Sequence, residues 1–511
     1  MAHTFGVLFA STLLLGGVLA GFPVSAVSAA SAAPATTVQW SACPEDATVE
    51  CGSLRLPVDY GNPADGTFDL AVARRKATDP AKRIGVLLIN PGGPGGSGVD
   101  YALRPNLFSP DIYARFDVVG WDPRGVSRSR PVMCSTELLD HPASIFPVNQ
   151  AEFDALGAYN RTLLDDCRRR TGPLAEHVDT ASTAQDMDRI RRALGEQQIN
   201  YFAASYGTLM GQQYAERYGD KIRTMVLDSN MDHSLGIWDY AGTESAAVEA
   251  TFTEWVRWCG RTPSCALYGR DVIQLWHDVL AKADRGELTD PDHPGARLRA
   301  QDIINTVSYS LYRPVEYASL ATYVRRLDEQ PKSESARPRT AAGPEENSVY
   351  QAAVCSDWNF PIRTFAEYQA LEARERALAP LMRGGTVGHT DITACVGVHD
   401  PVNNPQHPLK IRKAPQILML DALYDPSTPY AWTVNAHQQS KDTTTLLTYD
   451  GWGHSSYDRS GSPCVRAAVD TYLTTGKAPA PDSHCAAVDP PGATKAAAVQ
   501  ADRGAAPLHV R

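Results

Sequence analysis

Ile199-Asn200-Tyr201-Phe202-Ala203-Ala204-Ser205-Tyr206-Gly207-Thr208 reads as a short apolar strand, a sharp turn and the start of a helix. The strand is Ile199 to Ala203. The helix begins at Tyr206 and continues through Leu209, Met210, Gln213 and Tyr214. Ala203-x-Ser205-x-Gly207 is one residue away from Gly-x-Ser-x-Gly, the turn on which a serine hydroxyl stands exposed above a sheet edge. Ala203 replaces the first glycine, where little room is expected for a Cβ. A helix N-terminus beneath such a serine stabilises developing negative charge.

Outward from this turn the chain alternates strands and helices. Phe68 to Ala73 has the period-two pattern of a half-buried strand. Gly85 to Asn90, Phe116 to Trp121 and Thr224 to Asp228 are apolar runs, as in strands buried on both faces. Thr183-x-x-Asp186 reads as a capping box opening a helix that Gly195 ends. This rhythm predicts an α/β fold, a mostly parallel sheet with helices on both faces. From residue 233 to about 405 the pattern turns helical and rich in tryptophan, as an inserted lid would be. Within it Lys332 to Asn347 reads as a mobile loop. Strand character returns at Gln416 to Leu420 and Thr444 to Tyr449. The expected division is a signal peptide over 1–32, core over 33–232, helical lid over 233–405, core again over 406–487, and a disordered tail over 488–511.

Composition narrows the function. With 511 residues and a net charge of −10 the chain has no electrostatic reason to bind nucleic acid or anionic membrane. Phe5 to Leu19 is an apolar run followed by Ala30-Ser31-Ala32, which fits a secretion signal, although no Lys or Arg precedes the run. Ten cysteines in an exported chain point to disulfides, and the simplest connectivity pairs neighbours: 43–51, 134–167, 259–265, 355–395 and 464–485. There is no C-x-x-C or H-E-x-x-H, so zinc is not expected, and the reading calls for no metal or other cofactor.

A serine nucleophile needs a base, and the base needs an orienting acid. Asp425 follows the strand at 416–420, within Asp425-Pro426-Ser427-Thr428-Pro429. His454 follows the strand at 444–449, between Gly453 and Ser455. Both fall past strand C-termini, the edge where open α/β sheets place their sites. Asp421 is the rival acid; the prolines around Asp425 favour the latter. The oxyanion donors are expected to be the amide of Tyr206 and one in the loop Asn90-Pro91-Gly92-Gly93-Pro94-Gly95-Gly96-Ser97-Gly98, with Gly93 the candidate. That loop also matches the dinucleotide fingerprint Gly93-x-Gly95-x-x-Gly98, with Asp117 or Asp122 as the ribose acid. Pro94, Pro105 and an exported setting argue against a nicotinamide cofactor. Asp122 and Arg124 read as loop support.

On the Asn90–Gly98 loop, Gly120-Trp121-Asp122-Pro123-Arg124-Gly125, Ala204-Ser205-Tyr206-Gly207-Thr208, Asp425-Pro426-Ser427-Thr428-Pro429 and Gly453-His454, the chain resembles the secreted tripeptidyl aminopeptidases of actinobacteria. These are serine peptidases of the α/β-hydrolase fold related to prolyl aminopeptidases, and the likeness spans roughly residues 40 to 486. The resemblance implies Ser205 as nucleophile, His454 as base, Asp425 as orienting acid, a helical lid, and release of short peptides from a free N-terminus. A carboxylate must then meet the substrate ammonium. The candidates in the lid are Asp357, Glu244 and Glu249, with Asp357 first because it lies between Cys355 and Trp358. An esterase or amidase acting on a non-peptide substrate would use the same triad, and a non-catalytic binding protein would not need it.

Overall fold

The computed structural model describes residues 37–293, 295–331, 345–385 and 387–492. The expected signal peptide, the stretch 332–344 and the tail from 493 lie outside the described residues.

Ten strands form one sheet: β1 (Ser41–Ala42), β2 (Glu50–Pro57), β3 (Thr67–Arg75), β4 (Gly85–Asn90), β5 (Phe116–Trp121), β7 (Ile199–Ser205), β8 (Ile222–Asn230), β10 (Ile417–Tyr424), β11 (Thr444–Trp452) and β12 (Ser483–Cys485). β6 (Met133–Ser135) and β9 (Glu345–Asn347) make a separate antiparallel pair. The order is β1-β2-β3-β5-β4-β7-β8-β10-β11-β12. The β1, β2, β3 and β5 contacts are antiparallel and every pairing from β5 to β12 is parallel. The strand order reverses at β4, and the loops after β4 and β7 open side by side at this switch point.

The apolar runs are buried on both sides, as their composition requires. In β4, Val86 and Leu88 join a core with Met187, Ile190 and Tyr214, while Leu87 and Ile89 face Ile112, Val465 and Val469. Between β8 and β10 the chain leaves the sheet for a large helical insertion with its own core around Trp255, Trp258, Trp276, Ile303 and Val324. This is the α/β-hydrolase fold with a helical lid.

Three local expectations are corrected. Thr183 and Asp186 do not cap a helix: the helix runs Thr180–Ala193 with Asp179 as N-cap, accepting from the Ser182 N–H. Asp186 instead takes a bidentate pair from the buried Arg124, at 2.7 and 2.8 Å. Glu345–Asn347, placed by sequence in a loop, is strand β9. The tail residues 488–490 are held. The Val488 N–H donates to the Tyr449 hydroxyl, Asp489 pairs with Arg261, and the Pro490 carbonyl accepts from Trp258 Nε1.

All five cysteine pairs are those of sequence neighbours, 43–51, 134–167, 259–265, 355–395 and 464–485. Among the described residues no helix is long and apolar enough to cross a membrane.

Candidate active site

Ser205 is the last residue of β7 and the N-cap of the helix Tyr206–Tyr218, with φ +59° and ψ −133°. L-residues avoid positive φ, which costs on the order of 1–3 kcal/mol and persists only where the surroundings enforce it. Here they do. A Cβ on Gly92 would lie 2.5 Å from the Ala204 carbonyl, 2.8 Å from Ser205 Cβ and 3.0 Å from the Tyr206 nitrogen, so the loop after β4 presses directly on the turn. The Asn90 side chain holds that loop by accepting the Gly92 N–H at 2.8 Å. The Ser205 hydroxyl caps no helix N–H.

The Ala203 departure is accommodated by its partner glycine. A Cβ on Gly207 would sit 3.0 Å from the Ala203 methyl and 2.7 Å from Asn90 Oδ1. One methyl fits across this gap, two do not.

The candidate base and the candidate acid come from the ends of β11 and β10, paired at Tyr424 and Trp452. His454 Nδ1 lies 2.8 Å from Asp425 Oδ2 and 3.1 Å from Oδ1. Asp425 also accepts the N–H groups of Ser427 and Thr428 and the Thr428 hydroxyl. Burial works to raise this carboxyl, but the charge and hydrogen bond of His454, with the two amides, outweigh it and hold Asp425 below its ordinary range. Asp421, the rival acid, points elsewhere, accepting from the Thr433 hydroxyl at 2.5 Å and from the Ala422 N–H. Burial and the neighbouring Asp425 charge push it well up.

Two supports of His454 carry no motif. The Tyr312 ring lies 5.0 Å from the His454 ring, centroid to centroid, and its carbonyl accepts the His454 N–H. Gly453, at φ +99°, makes that approach possible, since a Cβ there would fall 2.9 Å from the Tyr312 carbonyl oxygen. From the other side, β8 grips the chain just after the histidine. Ser229 Oγ accepts the Ser455 N–H, and Asp228 accepts the N–H groups of Ser456 and Tyr457 at 2.9 and 2.8 Å. The only sequence signal for this was that Asp228 ends a buried strand beside the site.

Asp122 and Arg124 support loops, as expected. Asp122 accepts from the Ser97 hydroxyl and from the N–H groups of Val99 and Arg128. The dinucleotide-like glycines have a packing role. A Cβ on Gly98 would lie 2.1 Å from the Trp121 carbonyl oxygen, so the helix Gly98–Leu103 crosses β5 in direct backbone contact. Asp117, the other ribose candidate, is tied to Arg83 and the Ala77 N–H.

The three lid carboxylates part company. Glu249 accepts the N–H groups of Leu381 and Met382. Asp357 is fully buried and bonded to Thr180, Asn404 and Tyr206. Glu244 is buried on the helix Ile237–Arg261, its Oε2 3.1 Å from where a Gly388 Cβ would be. Next to it on the helix Val387–Ala394 is an acid the sequence did not single out: Asp391, which accepts the hydroxyls of Tyr240 (2.6 Å) and Tyr350. Burial pushes Asp391 up to about 6 against those two hydrogen bonds. Among the described residues, Asp59, Asp65 and His177 have metal-ligand spacing at the half-exposed surface, which acidic loops also show without an ion.

A family model described as "TAP-like protein" matches residues 379–485. The chain is 30% identical over 499 residues to the tripeptidyl aminopeptidase of Streptomyces lividans, covering 90% of this chain and 89% of that one. It is 31% identical over 530 residues to carboxylesterase B of Mycobacterium tuberculosis, covering 94% and 98%. The chain belongs to the TAP-like family of α/β-hydrolases. This TAP-like hydrolase is also 28% identical over 466 residues to the serine protease Hip1 of Mycobacterium bovis, covering 85% and 87%. The relatives thus carry peptidase and esterase names on one sequence framework.

Proposed function

We propose that this TAP-like hydrolase is a secreted serine exopeptidase that releases di- or tripeptides from free N-termini. Ser205 Oγ bonds to the scissile carbonyl carbon as its proton passes to His454. Asp425 orients the imidazole, and the N–H groups of Tyr206 and Gly93 receive the oxyanion. The tetrahedral intermediate collapses, the amine leaves with the proton from His454, and water then cleaves the acyl-enzyme by the same steps in reverse order. The strained turn at Ser205 and the His454–Asp425 hydrogen bond support these roles. Five disulfides support an oxidising, extracellular setting.

The observation that carries the exopeptidase reading is the acidic cluster of the lid. The hydrogen-bonded Asp357 charge is felt most at Tyr206, with that of Asp391 behind it, and the Glu244 charge is felt at Tyr312, which packs on His454. Two buried carboxylates of the lid suit a substrate ammonium that loses its water on entry. Asp391 takes the amine-reading role ahead of Asp357 and Glu249 because it is held by two tyrosine hydroxyls, which can turn, while the other two hold backbone N–H groups, which cannot; Glu244 stays a candidate beside it. The carboxylesterase relative favours a second reading, an esterase of the same fold that does not need an amine.

Free and N-acetylated tripeptide anilides separate the two. The exopeptidase is expected to prefer the free amine strongly. The preference should grow as pH rises through about 6, where Asp391 ionises. It should fade above about 8, where the peptide amine loses its proton. Equal turnover of both anilides at every pH, with brisk ester hydrolysis, would establish the esterase instead.

A further inference from the structure

We infer that Asp357 and Tyr206 form a positioning pair, through which the root of the lid fixes the backbone N–H that follows the nucleophile. The inference rests on the role proposed above for the Tyr206 amide.

Asp357 ends the helix Tyr350–Asp357 and is 0% exposed. Its Oδ1 accepts from the Thr180 N–H at 3.0 Å, the Thr180 hydroxyl at 2.8 Å and Asn404 Nδ2 at 3.0 Å. Its Oδ2 accepts from the Tyr206 hydroxyl at 2.6 Å. Its main-chain carbonyl lies 2.7 Å from His233 Nε2. Both oxygens are thus occupied by neutral donors from three separate stretches of chain. A substrate ammonium could reach this carboxylate only by displacing one of them, which is why its role is assigned to the protein rather than to the substrate.

The donors share a location. His233 stands where the chain enters the lid, Asn404 where it returns, and Thr180 opens the helix beneath. The His407 N–H donates to the His233 carbonyl, closing the two roots on each other. Tyr206 is the one member that belongs to the nucleophile turn. It is 4% exposed, and its hydroxyl makes a short bond to Asp357, whose carboxyl burial pushes up to about 7. The other side of the same peptide is also held: the Thr208 hydroxyl donates to the Ser205 carbonyl at 2.6 Å and accepts from the Met231 N–H, just ahead of the lid. The peptide joining Ser205 to Tyr206 is therefore anchored at its carbonyl by Thr208 and, through the ring, by Asp357. An oxyanion donor works only if it is aimed before charge develops, and small misplacements cost rate steeply.

The test compares Tyr206→Phe, Asp357→Asn and the double variant. It uses two readouts that need no peptide N-terminus: the rate at which a fluorophosphonate labels Ser205, and kcat and KM for p-nitrophenyl acetate. We expect each single variant to lose about ten- to a hundredfold in labelling rate and in kcat, with KM within about twofold. The double variant should be no worse than the poorer single one, because both act through one bond. Tyr206→Phe removes a single oxygen and decides the matter alone if Asp357→Asn does not fold. A wild-type labelling rate in folded Tyr206→Phe, with only a lowered melting temperature, would overturn the pair. So would multiplying losses in the double variant, or an Asp357→Asn effect confined to KM for free-amine peptides. If wild-type Ser205 itself is not labelled, the hydrolase assignment beneath the inference fails, an outcome distinct from all of these.

Discussion

At the residue scale, Asp425 and Asp421 show how two identical side chains four positions apart are given different roles. Asp425 faces an imidazole and three further hydrogen-bond donors, which hold its carboxyl below the ordinary range. Asp421 faces a hydroxyl and an amide, and burial beside the Asp425 charge pushes its carboxyl well up. Asparagine imitates a neutral acid well and an orienting carboxylate badly. Asp425→Asn is therefore expected to lower kcat by roughly three to four orders of magnitude on ester substrates, and Asp421→Asn by less than about tenfold. Comparable losses in the two, measured by steady-state kinetics, would show that the pair works as a unit. Much of this site could be read from the sequence. The serine turn, the order of acid and base, and the prolines after Asp425 are local signals. The Tyr312 ring on His454 was not readable, because Tyr312 belongs to no motif and meets its partner only through the fold.

At the element scale, β8 does more than fill the sheet. Its last residues reach across to the loop after β11, where Ser229 and Ser455 adopt φ of +62° and +68°. Asp228 receives two successive backbone N–H groups of that loop. Burial pushes Asp228 up to about 7 in spite of these bonds, with the Asp425 charge adding to the effect. An acid whose folded pKa lies above its unfolded value binds a proton on folding. Stability then falls as pH rises from about 4, the unfolded value, toward about 7. In Asp228→Asn that dependence disappears, while one loop N–H loses its acceptor, at a cost of about 1–3 kcal/mol. The variant should melt below wild type at pH 5, and the gap should narrow toward pH 8. Its kcat should drop about tenfold through a less well held His454. A gap that widens with pH in thermal melts would mean that Asp228 is ionised throughout and stabilises the loop as a charge. The strands themselves were legible because parallel sheet buries both faces and leaves unbroken apolar runs. Which loop each strand end would grip was not, because such contacts follow from sheet order.

At the scale of the whole molecule, the lid is larger than the single insertion that the sequence predicts. A second segment, between β5 and the helix Thr180–Ala193, rises from the core to join it. Its strand β6 pairs with β9, and residues such as Cys134, Leu163 and Cys167 share a core with Val349 and Ala353. Hydrophobic periodicity cannot foresee such a union, because the partners lie some two hundred residues apart and each half has an ordinary helical pattern of its own. The junction turns on Asn160. This buried amide donates to the Thr393 and Val396 carbonyls, both at 2.9 Å, where the helix carrying Asp391 ends. The Cys355–Cys395 disulfide fastens the same corner. Asn160→Ala strips two buried carbonyls of their donor, at about 1–3 kcal/mol for each left unpaired, and frees the end of that helix without touching Ser205, Asp425 or His454. If Asp391 reads the substrate amine, KM for a free tripeptide anilide should rise severalfold, while kcat/KM for a small ester stays within about twofold of wild type. An equal loss on both substrates would show that the junction supports the catalytic centre as a whole, and Asp391 would lose its claim to the amine.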